Sequence, residues 1–244
     1  MRKRPSNPVE GAYAALLSYY GPQGWWPLYD SHKGFLAYHP GNYLIPGSEC
    51  GRVEVAFGAV LAQNTSWINA EKALINLITN DSLSVESILH LPETRLAIFL
   101  RPAGYYNQKA KKLKALSKFI KEEGKGKLSP LKKIPTQKLR DKMLNVWGCG
   151  PETVDSILLY ALNKPSFVVD AYTRRISARM GWTSEDASYN DLKEKFETNL
   201  PPKDAEIYKE YHALIVEHAK RHCTKTRPKC QNCPLKEKCE YNNA

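Results

Sequence analysis

The sequence predicts an all-α fold, and three observations carry that expectation. Apolar residues recur at helical intervals through the middle of the chain. No alternating strand pattern of convincing length appears, since residues 166–169 look extended but are too few to found a sheet. A Gly148-Cys149-Gly150-Pro151 turn joins two segments whose apolar stripes would pack on one another.

At 244 residues the chain suits one compact domain or two small helical ones. With 42% hydrophobic and 25% charged residues its composition excludes a disordered, collagenous or low-complexity chain. The longest apolar runs, 55–62 and 157–162, fall well short of the ~20 residues that cross a bilayer. Met1-Arg2-Lys3-Arg4 followed by residues 12–20 imitates a signal peptide, but Pro5, Pro8 and Glu10 interrupt it and no small-residue cleavage site follows, so an intracellular protein is expected. Lys and Arg outnumber Asp and Glu 36 to 25, a net charge of +11 that points to an anionic partner, nucleic acid first; the alternative is that excess lysine serves solubility.

In chain order, residues 53–62 predict an apolar helix, Gln63-Asn64-Thr65 a link, and 66–78 a second helix on Ile68, Leu74, Leu77 and Ile78. From 108 to 121, Leu113, Leu116 and Ile120 form a stripe while Lys109, Lys111, Lys112, Lys114, Lys118 and Lys121 cover the rest: a basic amphipathic helix, either a nucleic-acid face or simply a solvated one. Leu139, Met143 and Val146 stripe the next helix; Pro151 opens another on Val154, Ile157, Leu158 and Ala161. This pair is a helix-hairpin-helix whose glycines let backbone approach a ligand closely and whose second helix N-terminus suits a phosphate. Asp170 precedes a helix bearing Arg174, Arg175 and Arg179, where the ordinary role of an aspartate is to cap.

Four of six cysteines crowd the C-terminus as Cys223-x6-Cys230-x2-Cys233-x5-Cys239. Disulfides so close together would staple a loop little longer than themselves, so the bunching reads as a metal-ligand set. Zinc also accepts four thiolates but usually from two CxxC pairs, of which there is one here; a cubane iron-sulfur cluster accepts four from one compact loop. Seven Lys or Arg against Glu237 within 220–239 would offset the thiolate charge and could reach a phosphate backbone. Cys50 and Cys149 have no evident partner and are expected as small buried hydrophobes.

The hairpin Gly148-Cys-Gly-Pro-Glu-Thr153, the Val168-Val-Asp170 element and the cysteine spacing together resemble the endonuclease III superfamily of helix-hairpin-helix DNA glycosylases, over about residues 51–239. The resemblance implies a two-lobed all-helical fold with a C-terminal [4Fe-4S] loop. The lobes would be a six-helix barrel at 51–162, with the hairpin at 137–162, and a second lobe from 1–50 plus 163–244, with the cluster loop at 223–239. In the family the damaged base sits between the lobes. The resemblance further implies Asp170 as the catalytic residue, Gly148, Gly150 and Thr153 on the DNA backbone, and Cys223, Cys230, Cys233 and Cys239 as cluster ligands. Bifunctional members carry a lysine nucleophile where this chain has Glu152, so monofunctional N-glycosylase chemistry without lyase cleavage is expected; neither Lys142 nor Lys164 aligns with that position.

Within the superfamily the chain is most similar to the bacterial 3-methyladenine DNA glycosylase III branch, through Trp25-Trp26-Pro27, residues 58–65, 101–110 and 150–158, and Val168-Val-Asp170. That implies a base pocket of Trp25, Trp26, Pro27, Gln63 and Trp67; core packing is the alternative for the tandem tryptophans. Departures are the cysteine loop, which that branch lacks, and an insertion at about 29–50. An electron-rich aromatic slot favours a cationic alkylated purine by ~0.5 to 2 kcal/mol per contact. The expectation is therefore a monomeric enzyme releasing alkylated purines from double-stranded DNA. A glycosylase for oxidised pyrimidines or mismatched bases, and a non-catalytic damaged-DNA binder, are the alternatives.

Overall fold

The computed structural model describes residues 7–243, so the Met1-Arg2-Lys3-Arg4 cluster and Pro5 lie outside the described residues. The chain is mostly helical. Helix α1 is Pro8–Tyr20. A short antiparallel hairpin follows, β1 (Leu28–Asp30) and β2 (Phe35–Ala37), with Tyr29 opposite Leu36. Then come α2 (Glu49–Leu61), α3 (Trp67–Thr79), α4 (Val85–His90), α5 (Glu93–Leu100) and α6 (Tyr106–Gly124). Helices α7 (Thr136–Leu144) and α8 (Pro151–Ser156) form the helix-hairpin-helix, and α8 runs on into a π turn at Ile157–Ala161. The remainder is α9 (Ala171–Arg179), α10 (Tyr189–Asn199), α11 (Ala205–Arg221) and a final turn of helix, α12 (Glu240–Asn243). No helix among the described residues is long and apolar enough to cross a membrane.

The chain divides into two compact units. One comprises residues 26–39 and 44–164; the other comprises 1–25, 40–43 and 165–244. Residues 26–39 and 44–50 thus group with the middle of the chain rather than with its ends. The reason is local: the Glu54 carboxylate of α2 accepts the Tyr29 N–H at 2.7 Å, and Gly51 leaves room for Leu28. Residues 40–43 group with the ends because Lys209 donates to the Tyr43 carbonyl at 3.0 Å and the Tyr43 hydroxyl donates to Glu210 at 2.9 Å.

In the first unit α2 is buried from Val53 to Leu61, on every face and therefore central, with Glu54 as its one charged member. It packs against α3, α6 and α8 with its π turn. The buried stripe of α3 is Ala70, Ala73, Leu74 and Leu77; Ile68, expected on that stripe, is 59% exposed, because the first turn of α3 extends past the core. The two hairpin helices are joined by a buried ion pair, Arg140 Nε to Asp155 Oδ1 at 2.8 Å and Nη2 to Oδ2 at 3.0 Å. This bidentate geometry offsets the cost of burying both charges.

The second unit is built on aromatic rings. Phe167 stacks on Phe196 at 4.3 Å, Tyr211 lies edge-on to both, and the Tyr211 hydroxyl donates to the Val9 carbonyl at 2.8 Å, which ties α1 to α11. Helix α1 places Val9, Ala12 and Leu16 in this core.

Asp155→Ala should cost about 3–5 kcal/mol by stranding the Arg140 guanidinium. Removing the exposed Lys142–Glu123 pair (2.6 Å) should cost less than about 1 kcal/mol. Urea unfolding of the two variants checks the ordering, and equal losses would contradict it.

Candidate functional site

The hairpin is held in shape by one amide. Gln63, in the link between α2 and α3, donates through Nε2 to the Gly148 carbonyl at 2.9 Å and to Thr153 Oγ1 at 2.8 Å. Its Oε1 accepts from Lys112 Nζ at 2.5 Å. Three residues expected at two different tasks, Gln63, Gly148 and Thr153, are thereby gathered into one knot, with Lys112 as a fourth member that sequence reasoning did not single out. Gly148 has φ +84°, and a Cβ there would meet Lys112 Cγ at 2.3 Å, so both conformation and space require glycine. Gly150 differs: its φ is −76° and a Cβ would meet nothing within 4 Å. It caps α8 without a side-chain oxygen. Glu152 is exposed in that turn.

Trp26 is 8% exposed and lies against Gly58, whose Cβ would come within 3.1 Å of the indole. Its ring meets Trp67 edge-on at 5.2 Å and Tyr160 at 5.6 Å. The π turn positions Tyr160 here: the Leu162 N–H reaches back five residues to the Ile157 carbonyl, widening the helix. Nothing in the local sequence pattern marks Tyr160 as part of this group. Trp67, the first residue of α3, is half-buried, and Pro27 is buried. Trp25 belongs to the other unit, half-buried, with Lys220 Nζ 6.0 Å from its ring centre.

In that unit Asp170 is the N-cap of α9. Its Oδ1 accepts the Thr173 N–H at 2.7 Å and the Thr173 hydroxyl at 2.9 Å, while Oδ2 faces His212 Nε2 at 3.6 Å. Burial raises the carboxyl pKa, but the His212 hydrogen bond and charge together with the two Thr173 donors outweigh it and hold the group below the usual carboxylate value. The capping role expected of an isolated aspartate is therefore present, and a second oxygen is aimed elsewhere. His212 lies far along the chain on α11, and no local motif links it to Asp170.

The four C-terminal cysteines, all half-buried, border one cavity with Ile176, Met180 and Leu235. Cys223 accepts from Arg179 Nη1 at 3.2 Å and Cys233 from the Leu235 N–H at 3.4 Å, the donors a thiolate needs. Burial raises the Cys233 thiol pKa, the Leu235 N–H lowers it, and the neighbouring Cys223, Cys239 and Cys230 raise it again. Among the described residues no three Cys, His, Asp or Glu side chains are drawn in tightly enough for a single ion; the sulfurs are spread around the cavity. Of the two remaining cysteines, Cys149 is buried as expected, its thiol pushed up to about 11 by burial. Cys50 is exposed, contrary to expectation, because it sits in the first turn of α2 ahead of the buried stretch.

Some of the positive charge is turned inward. Lys109 is buried, donating to the Leu61 and Ala103 carbonyls at 2.9 and 2.6 Å, and burial, then Lys112, lower its pKa to about 8. Lys114 caps the end of α4 through the Ile88 and Leu89 carbonyls. Arg175 and Arg179 grip the cysteine loop through the carbonyls of Cys223 and Thr224 at 2.9 and 2.8 Å. Lys142 pairs with Glu123, and Lys164 donates to the Ile134 carbonyl at 2.6 Å, so both amines are engaged.

Comparison with known proteins adds four findings. Residues 57–202 match the model of the HhH-GPD superfamily of base excision DNA repair proteins. A proposed DNA repair glycosylase of Methanocaldococcus jannaschii is 46% identical over 98% of this chain and 99% of its own length. Among solved structures, a non-covalent endonuclease III–DNA complex is similar at TM-score 0.76 and 17% identity, covering 98% of this chain and 97% of that one. The 3-methyladenine DNA glycosylase of Helicobacter pylori bound to 1,N6-ethenoadenine is similar at TM-score 0.68 and 28% identity, covering 89% and 98%.

Gly148→Ala should lower stability by more than about 1 kcal/mol, from the left-handed backbone and the Lys112 clash, whereas Gly150→Ala should be close to neutral. Thermal denaturation of both decides it; an equal effect would contradict the geometry.

Proposed function

We propose, from the premise that this chain belongs to the HhH-GPD superfamily of base excision DNA repair proteins, that it is a monofunctional DNA N-glycosylase releasing alkylated purines from double-stranded DNA. The observation that carries this reading is the Asp170 carboxylate, held ionised at the start of α9, in a chain whose hairpin presents Glu152 in place of an amine. The alkylpurine preference is supported by the likeness to a 3-methyladenine glycosylase, with the half-buried Trp67 as the ring that would meet the base; Trp26 is buried against Gly58.

The chemistry follows from charge. Alkylation at N3 or N7 leaves a purine cationic, so its bond to deoxyribose breaks without further protonation. The bonding electrons go to the base and positive charge develops on the sugar. An ionised carboxylate stabilises that charge and orients the water that adds to C1′, leaving an abasic site. In Asp170, Oδ1 is committed to Thr173, so Oδ2 is the atom for this task. With no amine at position 152, no Schiff base forms and the strand stays whole. Extrusion of the base is favoured where a ring face can receive it, and an indole attracts a cationic purine more than a neutral one. At the hairpin, backbone N–H groups at the start of α8 donate to a phosphate oxygen, with Gln63 fixing the turn that presents them.

Cys223, Cys230, Cys233 and Cys239 suit a [4Fe-4S] cluster: all four border one cavity and come from one compact loop, as a cubane requires. When bound, the cluster would supply four iron–thiolate bonds that clamp the loop after α11.

Asp170→Asn keeps the cap, since Asn serves there as well as Asp. It should fold and bind DNA while losing at least about a hundredfold in base release. Wild type should give strand breaks in methylated duplex only after alkali. Borohydride trapping of a covalent protein–DNA adduct, or full activity in the Asn variant, would refute the mechanism.

A further inference from the structure

The unit that carries the cysteine loop also carries a run of polar contacts that base release does not use. Tyr20, the last residue of α1, places its hydroxyl 3.0 Å from His218 Nδ1 and 2.6 Å from His222 Nδ1. His218 is 2% exposed on α11, and its Nε2 lies 3.6 Å from Cys233 Sγ, hydrogen-bonding range for sulfur. The two imidazoles stack at 5.7 Å.

Proton counting orders these contacts. A hydroxyl has one proton, so Tyr20 donates to one Nδ1 and accepts from the other. A cluster-bound Cys233 is a thiolate, which only accepts, so the facing Nε2 of His218 must carry hydrogen. A buried neutral His218 then has a bare Nδ1, which accepts the Tyr20 proton, and His222 Nδ1–H completes the chain by donating to Tyr20 Oη. Reversing the chain would set an Nε2 lone pair against the thiolate.

We propose that Tyr20 and His222 fix His218 as an N–H donor to the Cys233 thiolate, making His218 a positioning residue that tunes the iron-sulfur cluster; this rests on the iron-sulfur reading above. With the Leu235 N–H, Cys233 then receives two donors. Hydrogen bonds to ligand sulfur draw off electron density and favour the more negative, reduced cluster, so they raise its midpoint potential and weaken the iron–thiolate bond.

The test uses anaerobically purified holoprotein as wild type, His218→Phe and Tyr20→Phe, with iron and sulfide assayed in each. EPR-monitored redox titration reads the midpoint, and resonance Raman reads the iron–thiolate stretch. His218→Phe should lower the midpoint and raise the stretch. Tyr20→Phe, which leaves imidazole and cysteine in place, should move both in the same direction by less, and it decides the matter if His218→Phe cannot retain a cluster. Exchange into D2O should shift the wild-type stretch more than that of His218→Phe. Cluster-replete variants with unchanged midpoint and stretch would overturn the tuning role, even if they melt at lower temperature. Wild type without iron would overturn the iron-sulfur reading and the relay with it.

Discussion

One carboxylate is held by two sets of partners, one on each oxygen. Asp170 closes the first turn of α9 with Oδ1 and holds Oδ2 toward His212. Capping fixes the side-chain rotamer, and His212, with the two Thr173 donors behind it, keeps the group ionised despite its burial. Without the cap, the second oxygen would have no fixed position.

A similar economy governs the basic residues. A net charge of +11 suggests a broadly cationic surface, yet Lys109, Lys112 and Lys114 end on carbonyl or amide oxygens within their own unit, and Arg175 and Arg179 on the backbone of the cysteine loop. Lys112 positions the hairpin, Arg175 and Arg179 the cysteine loop, and Lys109 and Lys114 the ends of α2 and α4. The knot of Gln63, Lys112, Gly148 and Thr153 shows the principle most clearly: a cation on α6 orients an amide, and the amide sets the turn.

Much of this was legible in the sequence because helical periodicity survives wherever the buried face is apolar. Helix α2, α6 and the hairpin pair follow from their stripes, and the Gly148 requirement from the turn. Helix α11 escaped notice because its buried face includes Lys209, Glu210, His212 and His218, which blur the pattern. The β1–β2 hairpin escaped because three residues per strand are too few for an alternation to register. Residues 12–20, read against a signal peptide, prove to belong to an amphipathic core helix. The partners of the site residues, His212 for Asp170, Lys112 for Gly148 and Tyr160 for Trp26, were invisible for a common reason: each pairing joins segments distant in the chain, and its chemistry appears only when the fold brings them together.

The central claim is that an ionised Asp170, with no amine nucleophile in the hairpin, parts a cationic purine from its sugar. Mass spectrometry of the bases liberated from randomly methylated duplex DNA tests it most directly. The account predicts free 3-methyladenine or 7-methylguanine, absent from the Asp170→Asn reaction. Release of oxidised pyrimidines or mismatched thymine from matched lesion duplexes, with no methylated purine freed, would contradict it.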